Sequence, residues 1–203
     1  MKLETYIENE IIPRYLGFDR AHGPEHAKSV IDRSLKLAGI YGLDLRMVYA
    51  AAAYHDTGLA EGRERHHLVS GRIIREDRML REWFTEEQIE TIAEAAEDHR
   101  ASAAREPRSI YGRVLAEADR QIDPELTVRR TVQYGLSHYP EMGKEEHWRR
   151  MLEHLQEKYA EGGYLKLLIP ESDNARRLEE LRSLMKDRSR LREIFEKEYS
   201  EGA

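Results

Sequence analysis

The pattern of hydrophobic and polar positions becomes largely apolar over residues 45–54, which lead into the dipeptide His55-Asp56. Small and apolar residues follow one another there without Gly or Pro, and Asp44 stands where an N-cap is expected. Gly58 comes soon after the dipeptide, which suits a helix terminus where the chain turns. An imidazole beside a carboxylate is costly to bury unless each group is paired or binds a metal. The pattern therefore predicts a core helix that presents His55 and Asp56 at its inner end.

Hydrophobic positions elsewhere also recur with helical spacing, and no strong parallel-sheet signal is present, which favours an all-α fold. Pro24 suits the first position of a helix, and the residues from Thr85 to Gln88 have the form of a capping box. Besides 45–54, the predicted helices are 3–12 (ended near Pro13), 24–38, 68–77, 86–99, 107–119 (opened by Pro107), 124–137, 144–160 and 174–199.

The chain changes character after Gly143, where the helical segments become highly charged. A short apolar stretch at 162–170, compatible with an extended form, joins the last two of them. A length of 203 residues suits one domain, or one domain with an extension. We therefore expect a helical-bundle domain at 1–140. A charged helical C-terminal extension at 141–203 is expected to pack on the same domain or to form a homodimer surface.

Composition restricts the chemistry and the partners. The chain has no cysteine, which excludes disulfides, thiolate metal sites and a cysteine nucleophile. A net charge of −6 disfavours binding to long nucleic acid, although a nucleotide needs only a local basic pocket. The acidic N-terminus lacks a signal-peptide core, and no stretch reaches the apolar length of a membrane span. These features predict a soluble cytoplasmic protein with no targeting segment and no membrane partner.

Several polar residues fall on helix faces that are otherwise apolar. A single histidine on such a face is more often a satisfied core or surface residue than a ligand. A group of them at inner helix ends is less easily explained in that way. Imidazole nitrogens and carboxylate oxygens are the ligands that divalent cations use when no thiolate is available. The group comprises His26, His55, Asp56, His99 and Asp119, with His66 or His67 at a helix start.

The order of these residues resembles the H…HD…D signature of the HD-domain metal-dependent phosphohydrolases. His26, His55-Asp56 and Asp119 take the signature positions, and the resemblance extends over residues 1–123. It implies a helical bundle with these four side chains around one divalent metal ion. Leu59 stands where some members carry Lys. The Gly-Tyr-Pro signature of cyclic-dinucleotide hydrolases and the additional blocks of alarmone hydrolases are not evident, so neither substrate is assigned.

Some family members carry extra histidines that hold either a second metal ion or the phosphates, and His66 and His99 would supply them here. In the family the ligating His lies four residues before a Ser, Gly or Ala. That spacing favours His66 with Ser70, although His67 with Gly71 has the same spacing. The resemblance leaves the metal open among Mn, Fe, Co, Ni, Mg and Zn.

A phosphate group needs cations or backbone N–H groups to bind it. The preferred candidates are Arg63, Arg65 and Arg100, because the predicted ligands place their loops at the mouth of the pocket. His22 either supports a ligand, donates a proton to the leaving group or caps its loop. Weaker candidates are Arg105, Arg108, Arg120 and Lys166.

The resemblance implies hydrolysis of a phosphomonoester or phosphoanhydride in a nucleotide or similar small phosphate. A metal-bound hydroxide would be the nucleophile, and Asp56 would help to orient it. One alternative is a di-iron oxygenase, because the same scaffold with extra histidines also carries that chemistry. Another is a non-catalytic sensor that binds metal or nucleotide, although the presence of all four ligands argues against it. The last is a scaffold whose charged C-terminal helices bind a partner.

Overall fold

The computed structural model describes residues 1–101 and 105–202, and over these ranges the fold is all-α, as the sequence predicts. No strand occurs among the described residues, and the stretch at 162–170 carries no helix. None of the described helices combines the length and the apolar character needed to cross a membrane. The α-helices are α1 (Leu3–Tyr6), α2 (Pro24–Ile40), α3 (Leu45–Tyr54), α4 (His66–Glu76), α5 (Glu86–Asp98), α6 (Ile110–Asp119), α7 (Pro124–His138), α8 (Lys144–Tyr159), α9 (Asn174–Lys186) and α10 (Arg188–Gly202).

The chain divides into two compact units. The first consists of Met1–Arg120 together with Leu168–Ser172, and the second consists of Gln121–Leu167 together with Asp173–Ala203. The His55-Asp56 dipeptide belongs to the first unit. The expected domain limits at 1–140 and 141–203, and the packing of the extension on the domain, stay predictions.

Helix α3 lies in the core of the first unit and packs against α2, α5 and α6. The Asp44 carboxylate accepts a hydrogen bond from the Arg46 N–H at 2.9 Å, which confirms the predicted N-cap. All four alanines from Ala50 to Ala53 are buried. Their small side chains let the neighbouring helices approach closely, so α3 delivers His55 and Asp56 into the interior as the pattern predicts.

The first helical segment departs from the prediction that it ends near Pro13. A π-helical turn at Ile7–Ile11 follows α1, and a 3-10 helix then runs over Ile12–Gly17. Pro13 is tolerated because it stands in the first turn of this 3-10 helix, where its missing N–H would have no partner. The change of helix type keeps one apolar side toward the core, since Ile7, Ile11 and Tyr15 are all fully buried.

Two further helix predictions need correction. Helix α6 begins at Ile110, not at Pro107, because the Ser109 hydroxyl caps it by accepting the Gly112 N–H at 3.2 Å. The predicted helix over 174–199 is two helices, α9 and α10. Asp187 separates them and caps α10 by accepting the Arg190 N–H at 3.1 Å. The capping box from Thr85 to Gln88 is present as predicted.

A short segment late in the chain belongs to the first unit and is held by a buried carboxylate of α6. Glu117 is fully buried. One of its oxygens accepts the Leu168 N–H at 2.7 Å, and the other accepts the Ser172 hydroxyl at 2.5 Å. Glu117 thus fixes both ends of Leu168–Ser172 against the helix that ends at Asp119.

The second unit has its own core, in which α7 packs against α8 and α10. Gly135 of α7 makes room for two side chains of α8. A Cβ atom at Gly135 would lie 2.8 Å from Nδ1 of His147 and 2.7 Å from Nη2 of Arg150. The core side chains of this unit include Val128, Val132, Met151, Leu155, Leu191 and Phe195.

Candidate metal centre

The candidate ligands of the first unit stand at helix ends. His55 directly follows α3, His99 directly follows α5, and Asp119 is the last residue of α6. His26 lies in the first turn of α2, and His66 is the first residue of α4. The C-terminal ends of α3, α5 and α6 carry partial negative charge, which favours a bound cation.

One cluster of nitrogen and oxygen atoms forms around His26 and His55. Their Nε2 atoms are 3.2 Å apart. Oδ2 of Asp56 lies 3.3 Å from Nε2 of His55 and 3.6 Å from Nε2 of His26. Oδ1 of Asp119 lies 3.2 Å from Nε2 of His26 and 3.8 Å from that of His55. The four residues of the H…HD…D pattern therefore meet, and His26, His55 and Asp56 form a group that can hold a metal ion.

A second cluster shares Asp56 with the first. Oδ1 of Asp56 lies 3.3 Å from Nε2 of His66 and 3.4 Å from Nε2 of His99. The two histidine Nε2 atoms are 3.2 Å apart. These three residues form another group that can hold a metal ion. Each oxygen of the Asp56 carboxylate thus faces a different histidine pair.

Backbone carbonyls orient three of the histidine rings in the same way. Nδ1 of His55 lies 2.7 Å from the Ala52 carbonyl, Nδ1 of His99 lies 2.5 Å from the Ala96 carbonyl, and Nδ1 of His66 lies 2.7 Å from the Arg63 carbonyl. A carbonyl can only accept, so the neutral form of each ring carries its proton on Nδ1 and a lone pair on Nε2. Metal-binding histidines are commonly oriented by such a bond from the other ring nitrogen. The residues present therefore fit divalent metal ions.

The electrostatic field of the first cluster favours positive charge. Burial opposes protonation of His26, but Asp119 and Asp56 outweigh it and raise the pKa of His26 to about 9. Burial likewise opposes ionisation of Asp56, but the imidazoles around it hold the pKa of its carboxyl well below the usual range. His26 lowers the pKa of Asp119 against the same effect of burial. A site that favours a proton in this way also favours a metal cation in its place.

The second cluster keeps a lone pair available at neutral pH. Burial and the adjacent His99 lower the pKa of His66 to about 4. His67 is not one of the grouped ligands. Its ring lies 5.6 Å from that of His66, and its buried Nδ1 atom has no protein partner. The geometry thus places His66 at the cluster, with Ser70 buried behind it and accepting the Gly58 N–H at 2.9 Å.

Tyr15 supports the dipeptide and was not singled out by the sequence. Its side chain is fully buried, its hydroxyl donates to the Ala53 carbonyl at 2.9 Å, and it accepts the Asp56 N–H at 3.2 Å. Burial and the Asp56 charge raise the pKa of Tyr15 well above its usual value, so it remains a neutral donor. Only its contact with Asp56, which is distant in the sequence, identifies Tyr15, because no local sequence pattern distinguishes it from other tyrosines.

His22 and Arg63 lie beside the first cluster. The His22 ring is 5.9 Å from the His26 ring, centroid to centroid. Nδ1 of His22 lies 2.8 Å from Oδ1 of Asp19, and Nε2 lies 3.5 Å from Nη1 of Arg63. Asp19 thus orients His22, and the predicted roles of His22 and Arg63 in catalysis stay predictions.

The other candidate cations differ in how they are engaged. Arg100 donates to the Glu64 carbonyl at 2.6 Å. Asp98 accepts from both Arg105, at 3.1 Å, and Arg108, at 3.0 Å, so these two cations serve an ion-pair network. Arg65 and Lys166 are exposed, and Lys166 belongs to the second unit.

Comparison with known proteins agrees with this geometry. Residues 24–121 match the family model of the HD domain. The fold is similar to that of a predicted HD superfamily hydrolase from an uncultured Thermotogales bacterium. The two chains share 20% identity with a TM-score of 0.50, over 75% of this chain and 90% of that chain. A search of curated proteins gave no match. The family model thus identifies an HD domain at residues 24–121, as the resemblance in the sequence predicts.

Proposed function

We propose that this protein is a metal-dependent phosphohydrolase. It cleaves a phosphomonoester or phosphoanhydride bond in a nucleotide or a similar small phosphate. The observation that carries the proposal is the position of Asp56, whose two carboxylate oxygens face two histidine pairs at 3.3–3.6 Å. The HD-domain match and the hydrolase named among similar folds support the same class.

His26, His55, Asp56 and Asp119 would hold one divalent ion, and Asp56, His66 and His99 would hold a second. Divalent ions bound there would lower the pKa of coordinated water and polarise the phosphoryl group. The carbonyls of Ala52, Ala96 and Arg63 hold three rings in place, so the ligands need little rearrangement. Tyr15 holds the Asp56 backbone and thereby fixes the direction of its carboxylate.

The remaining residues act on the substrate. Arg63 and Arg100 would neutralise phosphate charge at the edge of the site. His22, oriented by Asp19, is placed to give a proton to the leaving oxygen. The protein would work in the cytoplasm on small phosphorylated molecules.

The experiment measures phosphate release from a panel of nucleotides and phosphoesters, with Mn, Fe, Co, Ni, Mg and Zn added separately to chelator-treated protein. Metal-dependent release that His55→Ala lacks, while His138→Ala retains it, supports the proposal. His138 is an exposed histidine of the second unit and serves as the matched control. Release that survives in His55→Ala contradicts the assignment. Oxygen consumption by iron-loaded protein, without phosphate release, would favour the oxygenase alternative.

A further inference from the structure

Arg120 is a partly buried cation that the roles described so far do not use. It directly follows Asp119, and it is the last residue of the Met1–Arg120 segment of the first unit. Its Nε and Nη1 atoms are buried, and neither has a hydrogen-bond partner in the protein. Burial lowers the pKa of the Arg120 guanidinium, although the charges of Glu117 and Asp119 favour its protonated form. Two N–H-bearing nitrogens of a charged group are thus out of solvent without an acceptor.

The two nearby carboxylates are committed to other partners. Oδ1 of Asp119 faces Nε2 of His26 at 3.2 Å, in the first cluster. The oxygens of Glu117 accept from Leu168 and Ser172. Both carboxylates therefore compensate the charge of Arg120 through space, and neither accepts its buried N–H groups.

Other arginines of the same unit are satisfied by the protein. Arg33 donates to the Ala118 carbonyl at 3.1 Å, and Arg75 donates to Glu90 at 2.8 Å. Arg108 donates to Asp98 and to Glu97. A buried donor without an acceptor is costly, and more so when it is charged, so such a group calls for an explanation. An anionic ligand oxygen would supply the missing acceptor.

We propose that Arg120 is a phosphate-binding residue of the site, with Nε and Nη1 donating to oxygens of the substrate phosphoryl group. This inference rests on the proposed function and names the residue that recognises the charge of its substrate. Arg120 directly follows Asp119, a candidate ligand of the first cluster, and the charge of Asp119 acts on its guanidinium. Arginine suits this task because its planar guanidinium always carries charge and offers several directed donors. A lysine would keep the charge and lose the directed donors.

The test measures binding of inorganic phosphate by calorimetry to metal-loaded wild type, Arg120→Gln, Arg120→Lys and Arg81→Gln. Arg81 is an exposed arginine that pairs with Glu86, so its substitution changes the net charge equally. We expect the phosphate Kd of Arg120→Gln to rise about tenfold or more, as for loss of a charge-assisted hydrogen bond. Arg120→Lys should be intermediate and Arg81→Gln should match wild type. Elemental analysis should show equal metal in all four proteins.

An unchanged phosphate Kd in a metal-loaded, folded Arg120→Gln protein would overturn the inference. A second measurement follows phosphate binding in wild type, in case Arg120→Gln does not fold. The Nε–H signal of Arg120 in a nitrogen-correlated NMR spectrum, assigned by its absence from Arg120→Lys, should shift when phosphate is added. A signal that does not move would show that the buried donors serve only the fold or bound solvent, and would overturn the inference.

The inference and the proposed function can fail separately. Phosphate binding that depends on Arg120, in a protein that hydrolyses no substrate of the panel, would leave the inference standing and refute the hydrolase proposal. Metal-dependent hydrolysis by wild type, together with an unchanged phosphate Kd in Arg120→Gln, would support the hydrolase proposal and refute the inference about Arg120.

Discussion

The Nε2 atoms of His66 and His99 lie 3.2 Å apart. The Nδ1 atom of each ring lies within hydrogen-bond distance of the backbone carbonyl three residues earlier. In their neutral forms the two rings would direct lone pairs at each other, next to an oxygen of Asp56. Three electron-rich atoms at this spacing repel one another unless a proton or a metal ion lies among them. The relationship is the physical reason to expect a second ion beside the one that the HD signature implies.

Metal stoichiometry is the first prediction. Wild type should bind two ions per chain at saturating metal, His66→Ala one and Asp56→Ala none, because Asp56 serves both clusters. His67→Ala is the matched control and should still bind two, since His67 lies outside the clusters. Elemental analysis after gel filtration measures the ratio. One ion per wild-type chain, unchanged in His66→Ala, would contradict a second site.

The second prediction concerns the contact between Gly58 and α4. A Cβ at Gly58 would lie 2.1 Å from the His66 carbonyl oxygen and 2.7 Å from the Ser70 nitrogen, and backbone atoms must shift to admit it. Gly58→Ala should lower the free energy of unfolding by about 1–3 kcal/mol, the range for overpacking. Because α4 begins at His66, the variant should also lose the second ion first.

Thermal unfolding and elemental analysis together check this prediction. Gly17→Ala is the control, because a Cβ at Gly17 would meet no atom within 4 Å. A Gly58→Ala protein with wild-type stability and two ions would show that α4 adapts without cost.

The third prediction is a pH dependence in the second unit. Burial, with Lys158 and Arg150 nearby, lowers the pKa of His154 to about 4 from an ordinary value of 6.5. Below the ordinary value the unfolded chain takes up a proton that the folded chain refuses, so stability is full above it and is lost as pH falls toward 4. Between about pH 7.5 and pH 5, this should cost wild type about 1–2 kcal/mol.

Denaturant unfolding at the two pH values measures the loss. His154→Gln has no titrating group at this position and should lose correspondingly less stability over the same interval. Equal losses in the two proteins would mean that His154 titrates normally in the folded state.

The fourth prediction compares two glycines inside helices. Gly39→Ala should raise the free energy of unfolding by about 0.5–1 kcal/mol, because alanine is the better helix former and a Cβ there would meet nothing within 4 Å. Gly135→Ala should lower it, since the methyl group would collide with His147 and Arg150. Denaturant melts of both variants check the opposite signs, and two stabilised variants would show that α8 yields without cost.

The fifth prediction concerns the carboxylate that holds Leu168–Ser172. Glu117→Ala removes two hydrogen bonds to a buried carboxylate, each worth about 1.5–3 kcal/mol. The Leu168 amide should then exchange its hydrogen with solvent much faster, as measured by NMR. The amide of Ala53, inside α3, provides the reference within the same sample. Unchanged protection of Leu168 would show that other contacts hold the segment.

The sequence predicted the four residues that meet in the first cluster, because their types and their order can be recognised in the sequence itself. It also favoured His66 over His67, through Ser70, and the structure places His66 beside Asp56. The buried position of α3 could be predicted from the sequence, because its run of small apolar residues is stable only in the core. The expected homodimer surface on the C-terminal helices stays a prediction.

Features that depend on distant contacts could not be predicted. Tyr15 meets Asp56 across 41 positions of sequence, and no local pattern marks it. The start of α6 was misplaced because Pro107 is a good first helical residue, yet the Ser109 cap decided the boundary. The sequence ranks Arg120 only among the weaker phosphate-binding candidates, and the burial of its unpartnered donors sets it apart.

The carbonyl bonds to His55, His66 and His99 have a consequence for how a cation enters. A free histidine side chain rotates about two bonds, and binding would have to arrest that rotation. Here the ends of α3 and α5 and the turn before α4 have already arrested it. Ion binding therefore loses little conformational entropy, and ordering the ligand side chains reduces the binding free energy only slightly. We expect the chain to keep its fold after the metal is stripped, unlike small zinc domains that unfold without their ion.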